Sequence, residues 1–422
     1  MMDKGENYEV KNINLAEQGK KNIEWAEMQM GALLKIRERF KKENPLKGIK
    51  IGLALHVTKE TAVLVKTLVA GGAEVAITGC NPLSTQDDVA AALAEENIKV
   101  WAYKGETKED YYRYLNNVID FKPDITIDDG CDLVTEIHTK HPDLIKDIIG
   151  GAEETTTGVI RLRAMEKDNA LKYPIVAVNE SLTKHLMDNI KGTGQSTIDG
   201  ILRATNVLIA GKNFVICGYG DCGKGVAKRA LGMDANVIVT EVDPFRALQA
   251  VMDGFKPMPI KEAAKIGDIF VTVTGNKNVI DTEHIKLMKD GVILANSGHF
   301  DAEININDLK KIAKNQRNIR PFMDEYTLDN GNRIFVLGEA RLVNLAAAEG
   351  HPSTIMAMSF INQVFACEFL VKNKGKLEPK VYVLPEERDY EIACLQLETM
   401  GIKIDSTTKE QKKYSQSWQE GT

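Results

Sequence analysis

The chain lacks nearly every feature that would tie it to a membrane, a nucleic acid or a metal cluster. None of its six cysteines (Cys80, Cys131, Cys217, Cys222, Cys367 and Cys394) forms a CxxC pair or another metal-ligand spacing. So many separate thiols predict a reducing compartment, and no metal is expected. No apolar run is long enough to span a bilayer, and the first 27 residues are charged throughout, unlike a signal peptide. The expected location is cytoplasmic. An excess of one charge is also missing: 54 Lys plus Arg stand against 60 Asp plus Glu, with no basic block. That balance argues against binding to nucleic acid or to anionic lipid. Internal repeats and low-complexity linkers are absent too.

What is present is a pattern. At 422 residues, 43% hydrophobic and 27% charged, the composition is that of a globular enzyme with two or three domains. After an amphipathic helical region over 23–40, β-like runs alternate with helical ones: IKIGLAL, KETAVLVKTLV, AEVAIT, DDVAAALAEE, KVWAY, EDYYRYLNNVI and DITID. Such alternation predicts a parallel sheet with crossover helices, and ligands beyond the carboxyl ends of its strands. Those ends carry His56, Cys80 with Asn81, and Asp128 with Asp129. A second alternation (NFVICG, DCGKGVAKRALG, NVIVTE, DIFVTVTG, GVILANSG) starts near Gly211. The stretch PSTIMAMSFINQVFACEFL is too apolar to lie free and is expected to pack back on the first domain. The predicted fold class is therefore α/β, with two Rossmann-like parallel-sheet domains plus a small helical C-terminal extension. The first domain is expected over 1–188, completed by 351–384; the second over 189–350, where the pattern fits a dinucleotide-binding fold; and 385–422 is expected to form a separate extension.

Gly218, Gly220 and Gly223 form a GxGxxG, a weak signal by itself. Its context strengthens it. The motif follows a strand, opens a helix and precedes a second strand that ends in Glu241. Glycines there allow a tight turn and close approach to a pyrophosphate, while the helix amino terminus offers N–H groups and a favourable dipole. Glu241 can accept from both ribose hydroxyls and would repel a 2′-phosphate, so NAD is favoured over NADP. The same residues begin a GxxxxGK phosphate loop, but Gly225 stands where Ser or Thr must bind magnesium. Further polar clusters (Asp128, Asp129 and Asp132; Glu153 to Thr157; Asn179 to Lys184; Asp188 and Asn189; His299 with Asp301; His351) each have a bland reading as cap, turn or solvated loop. Together they supply the acids and bases that proton transfer beside a nicotinamide requires.

The segments HVTKETAVL, NPLSTQDD, IDDGCDL, EETTTGV, GYGDCGKG, TEVDP, NSGHFDAEI, RLVNL and GHPS, in that order, resemble the successive motifs of S-adenosyl-L-homocysteine hydrolases. The resemblance covers about 50–365 and implies a bound NAD that oxidises the 3′-hydroxyl of a nucleoside thioether. The 3′-ketone then acidifies the C4′ proton, homocysteine leaves from C5′, water adds, and the hydride returns. It further implies that Lys184 takes the 3′-hydroxyl proton, helped by Asp188 and oriented by Glu154 and Asn179, with a lowered lysine pKa. Asp129 would serve the C4′ proton, and His56 and His299 the 5′ position. Thr58, Glu60 and His351 would contact the purine, with Lys59 beside them. Thr155, Thr156, Thr157, Asn189, Gly218, Gly220, Asp221, Gly223, Glu241, Arg246, Thr274, Asn276, Asn296, Gly298, His299 and Asn344 would hold NAD. A homotetramer is implied, with a dimer as the alternative.

Four departures from the family pattern stand out. The longer carboxyl-terminal tail is absent, leaving Lys412, Lys413 or Tyr414 to reach a neighbour's NAD. Thr193 replaces a cysteine, which removes a thiol role at that point, and Arg246 follows the ribose-binding acid where many members have Asn. Lys59 precedes Glu60 in the purine motif; an ammonium favours a 6-oxo purine, such as an inosyl substrate, unless it points to solvent. The competing readings are a catalytically silent NAD-binding regulator and a 2-hydroxy acid dehydrogenase that releases its NADH.

Overall fold

The computed structural model describes residues 2–419. Its strands form two sheets. In spatial order the first runs Asp3–Gly5, Tyr8–Val10, Lys99–Ala102, Glu74–Thr78, Lys50–Ala54, Ile125–Asp128, Gly150–Glu153, Ile175–Ala177 and Val381–Tyr382. All neighbours are parallel except the first pair. The second runs Lys256–Pro257, Asn236–Thr240, Asn213–Cys217, Ile269–Thr272, Val292–Asn296 and Arg333–Leu337, all parallel, and ends in antiparallel Met323–Leu328 and Ala313–Arg320. The expected α/β class with two Rossmann-like sheets is the fold observed. Central strands such as Ile125–Asp128 and Ile269–Thr272 are buried along their whole length, which is why they read as continuous apolar runs rather than alternating ones.

Three elements differ from the sequence expectation. The amino-terminal helical region is two helices, Ala16–Gln29 and Gly31–Glu43, broken where buried Met30 leaves helical geometry and glycine follows. The ribbon at the edge of the second sheet gave no strand signal, because Ala313–Arg320 is exposed almost throughout and carries no apolar alternation. The terminal segment contains the helix Glu386–Thr399, which packs on Ser353–Lys372 and Gly31–Glu43 and buries Ile392 in the first core.

The helix Ser353–Lys372 packs against the first sheet's core through Phe360, Ile361, Val364, Phe365 and Leu370. By length and composition it could cross a membrane, contrary to the expectation that no such run exists, but 72% of its apolar window is buried inside the protein. It is the core helix of the first lobe. Three polar residues in its middle, Ser359, Asn362 and Gln363, are fully buried as well.

Candidate active site

Residues from the carboxyl ends of both sheets line one cavity of about 270 Å³. His56, Asp129 and Glu154 follow Lys50–Ala54, Ile125–Asp128 and Gly150–Glu153 of the first sheet. Gly220, Thr274 and His299 follow Asn213–Cys217, Ile269–Thr272 and Val292–Asn296 of the second. Strand ends are where crossover connections leave backbone and side chains free to face a ligand.

One group of side chains centres on Asp129. Its Oδ2 lies 3.4 Å from His56 Nε2 and its Oδ1 lies 3.5 Å from His299 Nδ1. His56 Nδ1 is 2.8 Å from Ser84 Oγ and 3.2 Å from Cys80 Sγ. Burial pulls the His56 pKa down to about 4, with His299 and His351 adding to the effect and Asp129 opposing it. The ring is therefore neutral at neutral pH. Burial beside Asp129 raises the Cys80 thiol well above its usual range, which keeps it protonated. Gly130 has a φ of +107°, and a Cβ there would fall 2.2 Å from His299 Nε2, so only glycine lets the two lobes meet at this point.

The other group centres on Lys184, at the start of a helical run that widens into a π-helix over His185–Gly192. A π turn brings both the fourth and fifth residues onward back to the same face, and such turns cluster at functional sites. Lys184 Nζ accordingly donates to Asp188 Oδ1 at 3.1 Å and to Asn189 Oδ1 at 2.9 Å, and lies 3.6 Å from Glu154 Oε1. His351 Nδ1 is 3.3 Å from the same Asp188 oxygen, and Asn179 accepts from Asn189. Burial works against the charge on Lys184, but Asp188, Glu154 and Asp129 outweigh it and hold the ammonium above the usual lysine range. This is opposite to the lowered pKa expected from sequence. Asp188 is buried too, yet Lys184 and His351 hold its carboxyl well below the usual range. Burial pushes Glu154 up to about 7, against the pull of Lys184.

Of the residues singled out from sequence, Thr58, Glu60, Thr155, Thr156, Thr157, Asn189, Asp221, Arg246, Gly298, Asn344 and His351 also line the cavity. Asn276 does not; it is exposed, and its Oδ1 caps Lys277 N. Asn296 lies beneath the site, where its amide donates to Gly298 O, Phe300 O and Ala340 O. Lys59 does not point to solvent: its Nζ is 3.0 Å from Glu349 Oε2 and 3.3 Å from Glu60 Oε1. Burial opposes its charge, but the two carboxylates hold the ammonium above its ordinary range. Nor is a thiol missing beside Thr193, since Cys222 Sγ lies 3.7 Å from its hydroxyl and lines the cavity.

Sequence reasoning missed the groups that support this set. Ser359 Oγ and Gln363 Nε2 both donate to Glu154. They stand four residues apart on the core helix, and polar residues at that spacing within an apolar run were a readable signal. Ser353 Oγ donates to Glu60 at 2.6 Å. Glu153 Oε1 accepts from Gly130 N and Thr155 N, and Glu303 holds Thr274 through its backbone and hydroxyl. Glu153 stood out in the sequence only as one member of a polar cluster, and Glu303 had no local signal that set it apart from its neighbours.

The glycine turn fits a dinucleotide. A Cβ on Gly223 would meet Gly218 O at 2.1 Å, so the helix Asp221–Leu231 starts hard against the turn, whereas Gly220 has nothing nearer than Arg246 at 3.7 Å. Glu241 Oε2 accepts from Tyr219 N at 2.7 Å, which places the acid at that turn. Asn344 Oδ1 is buried with no partner among the described residues, in a residue that lines the cavity, and is an acceptor available to a ligand amide. The residues present therefore suit an NAD.

Comparison with known proteins agrees with this geometry. Residues 7–141 match the family model described as S-adenosyl-L-homocysteine hydrolase, and residues 189–350 match its NAD binding domain. An adenosylhomocysteinase of Saccharolobus solfataricus is 61% identical over 416 residues, covering 98% of this chain and all of the relative. An S-inosyl-L-homocysteine hydrolase of Methanocaldococcus jannaschii is 60% identical over 415 residues with the same coverage. An adenosylhomocysteinase of Aquifex aeolicus is 60% identical over 416 residues, again with 98% and 100% covered.

Proposed function

The chain belongs to the S-adenosyl-L-homocysteine hydrolase family, and on that premise we propose how its side chains divide the work of splitting a nucleoside thioether. The reaction is a reversible, NAD-dependent hydrolysis of the carbon–sulfur bond. Bound NAD supplies a reversible hydride acceptor and, when oxidised, a positive charge that opposes the ammonium form of Lys184. Gly218, Gly220, Gly223 and Asp221 cradle the pyrophosphate, Glu241 binds the ribose, and Thr155, Thr156, Thr157, Asn189, Thr274 and Asn344 complete the cofactor site. Lys184, once the charge of an oxidised cofactor has displaced its ammonium proton, would take the 3′-hydroxyl proton with Asp188 helping, while Glu154 and Asn179 fix the lysine's surroundings. Asp129 takes and returns the C4′ proton. Neutral His56, with His299, serves the departing sulfur and the entering water.

The observation that carries this assignment is the presence of two proton-handling groups, around Asp129 and around Lys184, in one cavity lined from both sheets. A reaction that moves one proton at 3′ and another at 4′ needs two such centres.

The purine is read as adenine. Glu60 Oε1 is engaged by Ser353 and Lys59, while no described residue donates to Oε2, leaving a carboxylate oxygen for an exocyclic amine. Burial of Lys59 favours a second reading, in which its ammonium tolerates a 6-oxo purine and the substrate is the inosyl compound, as in the name of the Methanocaldococcus jannaschii relative. Free thiol released from S-adenosylhomocysteine and from S-inosylhomocysteine by the NAD-loaded protein decides between them. Release from the adenosyl compound is expected, and Lys59→Gln should lower any inosyl turnover more than adenosyl turnover. Silence with both substrates while NAD stays bound would remove the catalytic assignment.

A cytoplasmic homo-oligomer, a tetramer rather than a dimer, is the proposed working form. Exposed Val242, Phe245 and Met252 beside the cofactor site, and exposed Tyr414 and Trp418 near the carboxyl terminus, are the surfaces that support association.

A further inference from the structure

Asp389 belongs to the carboxyl-terminal helix Glu386–Thr399, from which no residue lines the cavity. Its carboxylate nevertheless reaches the turn on which Lys184 stands. Asp389 Oδ2 accepts from Leu182 N at 2.5 Å, and Oδ1 accepts from Thr183 N at 2.9 Å and from the Thr183 hydroxyl. Asn362 of the core helix donates to that same hydroxyl at 3.0 Å, so Thr183 is held from both sides. Asp389, Thr183 and Asn362 are buried, while the Leu182 side chain is exposed.

A helix start leaves its first N–H groups without internal partners, and the residue just before it normally supplies the acceptor. Ser181 occupies that position with suitable extended geometry (φ −67°, ψ 137°), yet its buried Oγ makes no hydrogen bond among the described residues. The carboxylate from more than two hundred residues away does the capping instead. Lys184 follows Thr183 directly, and its amine must meet Asp188, Asn189 and Glu154 together. A turn free to rock by a fraction of an ångström would spoil that convergence, and displacements of about 1 Å can cost about a hundredfold in rate.

We propose that Asp389 is a positioning residue for Lys184, which makes the carboxyl-terminal helix part of the apparatus that aligns the reaction. This rests on the assignment of Lys184 to the 3′-hydroxyl proton. Ser181 offers a second-site test, because an aspartate there can cap the same turn from within its own helix.

The full-length, NAD-loaded protein is assayed by thiol release as wild type, Asp389→Ala, Asp389→Ala with Ser181→Asp, and Lys184→Ala, with thermal midpoints measured alongside. The expected result for Asp389→Ala is a kcat lower by about tenfold to a hundredfold, with KM within about twofold. Ser181→Asp should recover a substantial part of that kcat. A merely structural anchor moves the midpoint and the folded fraction without separating kcat from KM. Asp389→Ala with undiminished kcat per folded molecule, or with losses that track the folded fraction in both Asp389 variants, overturns the proposal. Lys184→Ala separates the two levels. Full turnover there removes the role of Lys184 itself, whereas its loss beside an unimpaired Asp389→Ala removes only the role of Asp389.

Discussion

His56 illustrates how far a side chain's chemistry depends on neighbours that are remote in sequence. Its imidazole is buried beside two other histidines, so the proton it would hold in water at pH 6 is expelled, and the pKa falls from 6.5 to about 4. Only Asp129 and, more weakly, Asp188 pull the other way. Replacing Asp129 by Asn should therefore lower the value further, seen as a fall in the midpoint of the His56 ring signals in a nuclear magnetic resonance titration. A rise would contradict the assignment of causes. The sign for stability follows by linkage. The folded pKa lies below the unfolded one, so the unfolded chain binds the proton first and this group weakens the fold as pH drops from 6.5 toward 4. Denaturant unfolding at pH 7 and pH 5 should show a smaller loss in His56→Gln than in wild type. At this scale the strand-end positions of His56 and Asp129 were legible in the sequence, whereas Lys184, Asp188 and His351 were singled out from other polar loop residues only by the resemblance to a family. None of their charge states was legible. The raised pKa of Lys184 comes from Asp188, Glu154 and Asp129, brought together by two strand ends and a π-helix that no local pattern announces.

Among the elements, the π-helix His185–Gly192 and the nucleotide helix Asp221–Leu231 are packed unusually close. A Cβ on Gly225 would fall 2.0 Å from Ile190 O, and one on Gly194, in the helix Thr193–Thr205 that continues from the π-helix, would fall 2.6 Å from Gly225 O. From the sequence, Gly225 served only to rule out a phosphate loop that needs Ser or Thr at that place. The structure gives it a positive role: the backbone carrying Asp188 and Asn189 rests directly on it. Gly225→Ser, which would restore that motif, should therefore destabilise the protein by about 1–3 kcal/mol through overpacking. It should also reduce thiol release, since Ile190 adjoins Asn189. Chemical denaturation and steady-state rates test both, and an unchanged stability would mean that the two helices separate without cost. The alternation of strands and helices was readable because crossover units bury long apolar strands. The edge ribbon ending at Leu337 was not, since Ala313–Arg320 lies in solvent and gains its order from pairing with Met323–Leu328. The break at Met30 was hidden for a different reason: amphipathic periodicity continues across it.

For the molecule as a whole, the two lobes are joined by polar contacts as well as by chain. Lys59 of the first lobe pairs with Glu349, which also pairs with Arg203 of the second, and Lys104 Nζ donates to Ala346 O at 2.7 Å. A ligand seated between such lobes binds the folded state and scarcely the unfolded one. NAD at a thousandfold excess over its dissociation constant should therefore stabilise the protein by about 4 kcal/mol. Stripping NAD should lower the thermal midpoint, and adding it back should restore the loss; a midpoint indifferent to NAD would place the cofactor outside this cleft. The division of the lobes also bears on how the chain is made. The strands of the second sheet all lie within 213–337, whereas the first sheet ends with Val381–Tyr382 and its core needs the helix Ser353–Lys372. On the ribosome the earlier-made lobe is thus the later one to close. Its apolar groove must stay open, within reach of chaperones or of other nascent chains, until the entire nucleotide lobe has emerged behind it.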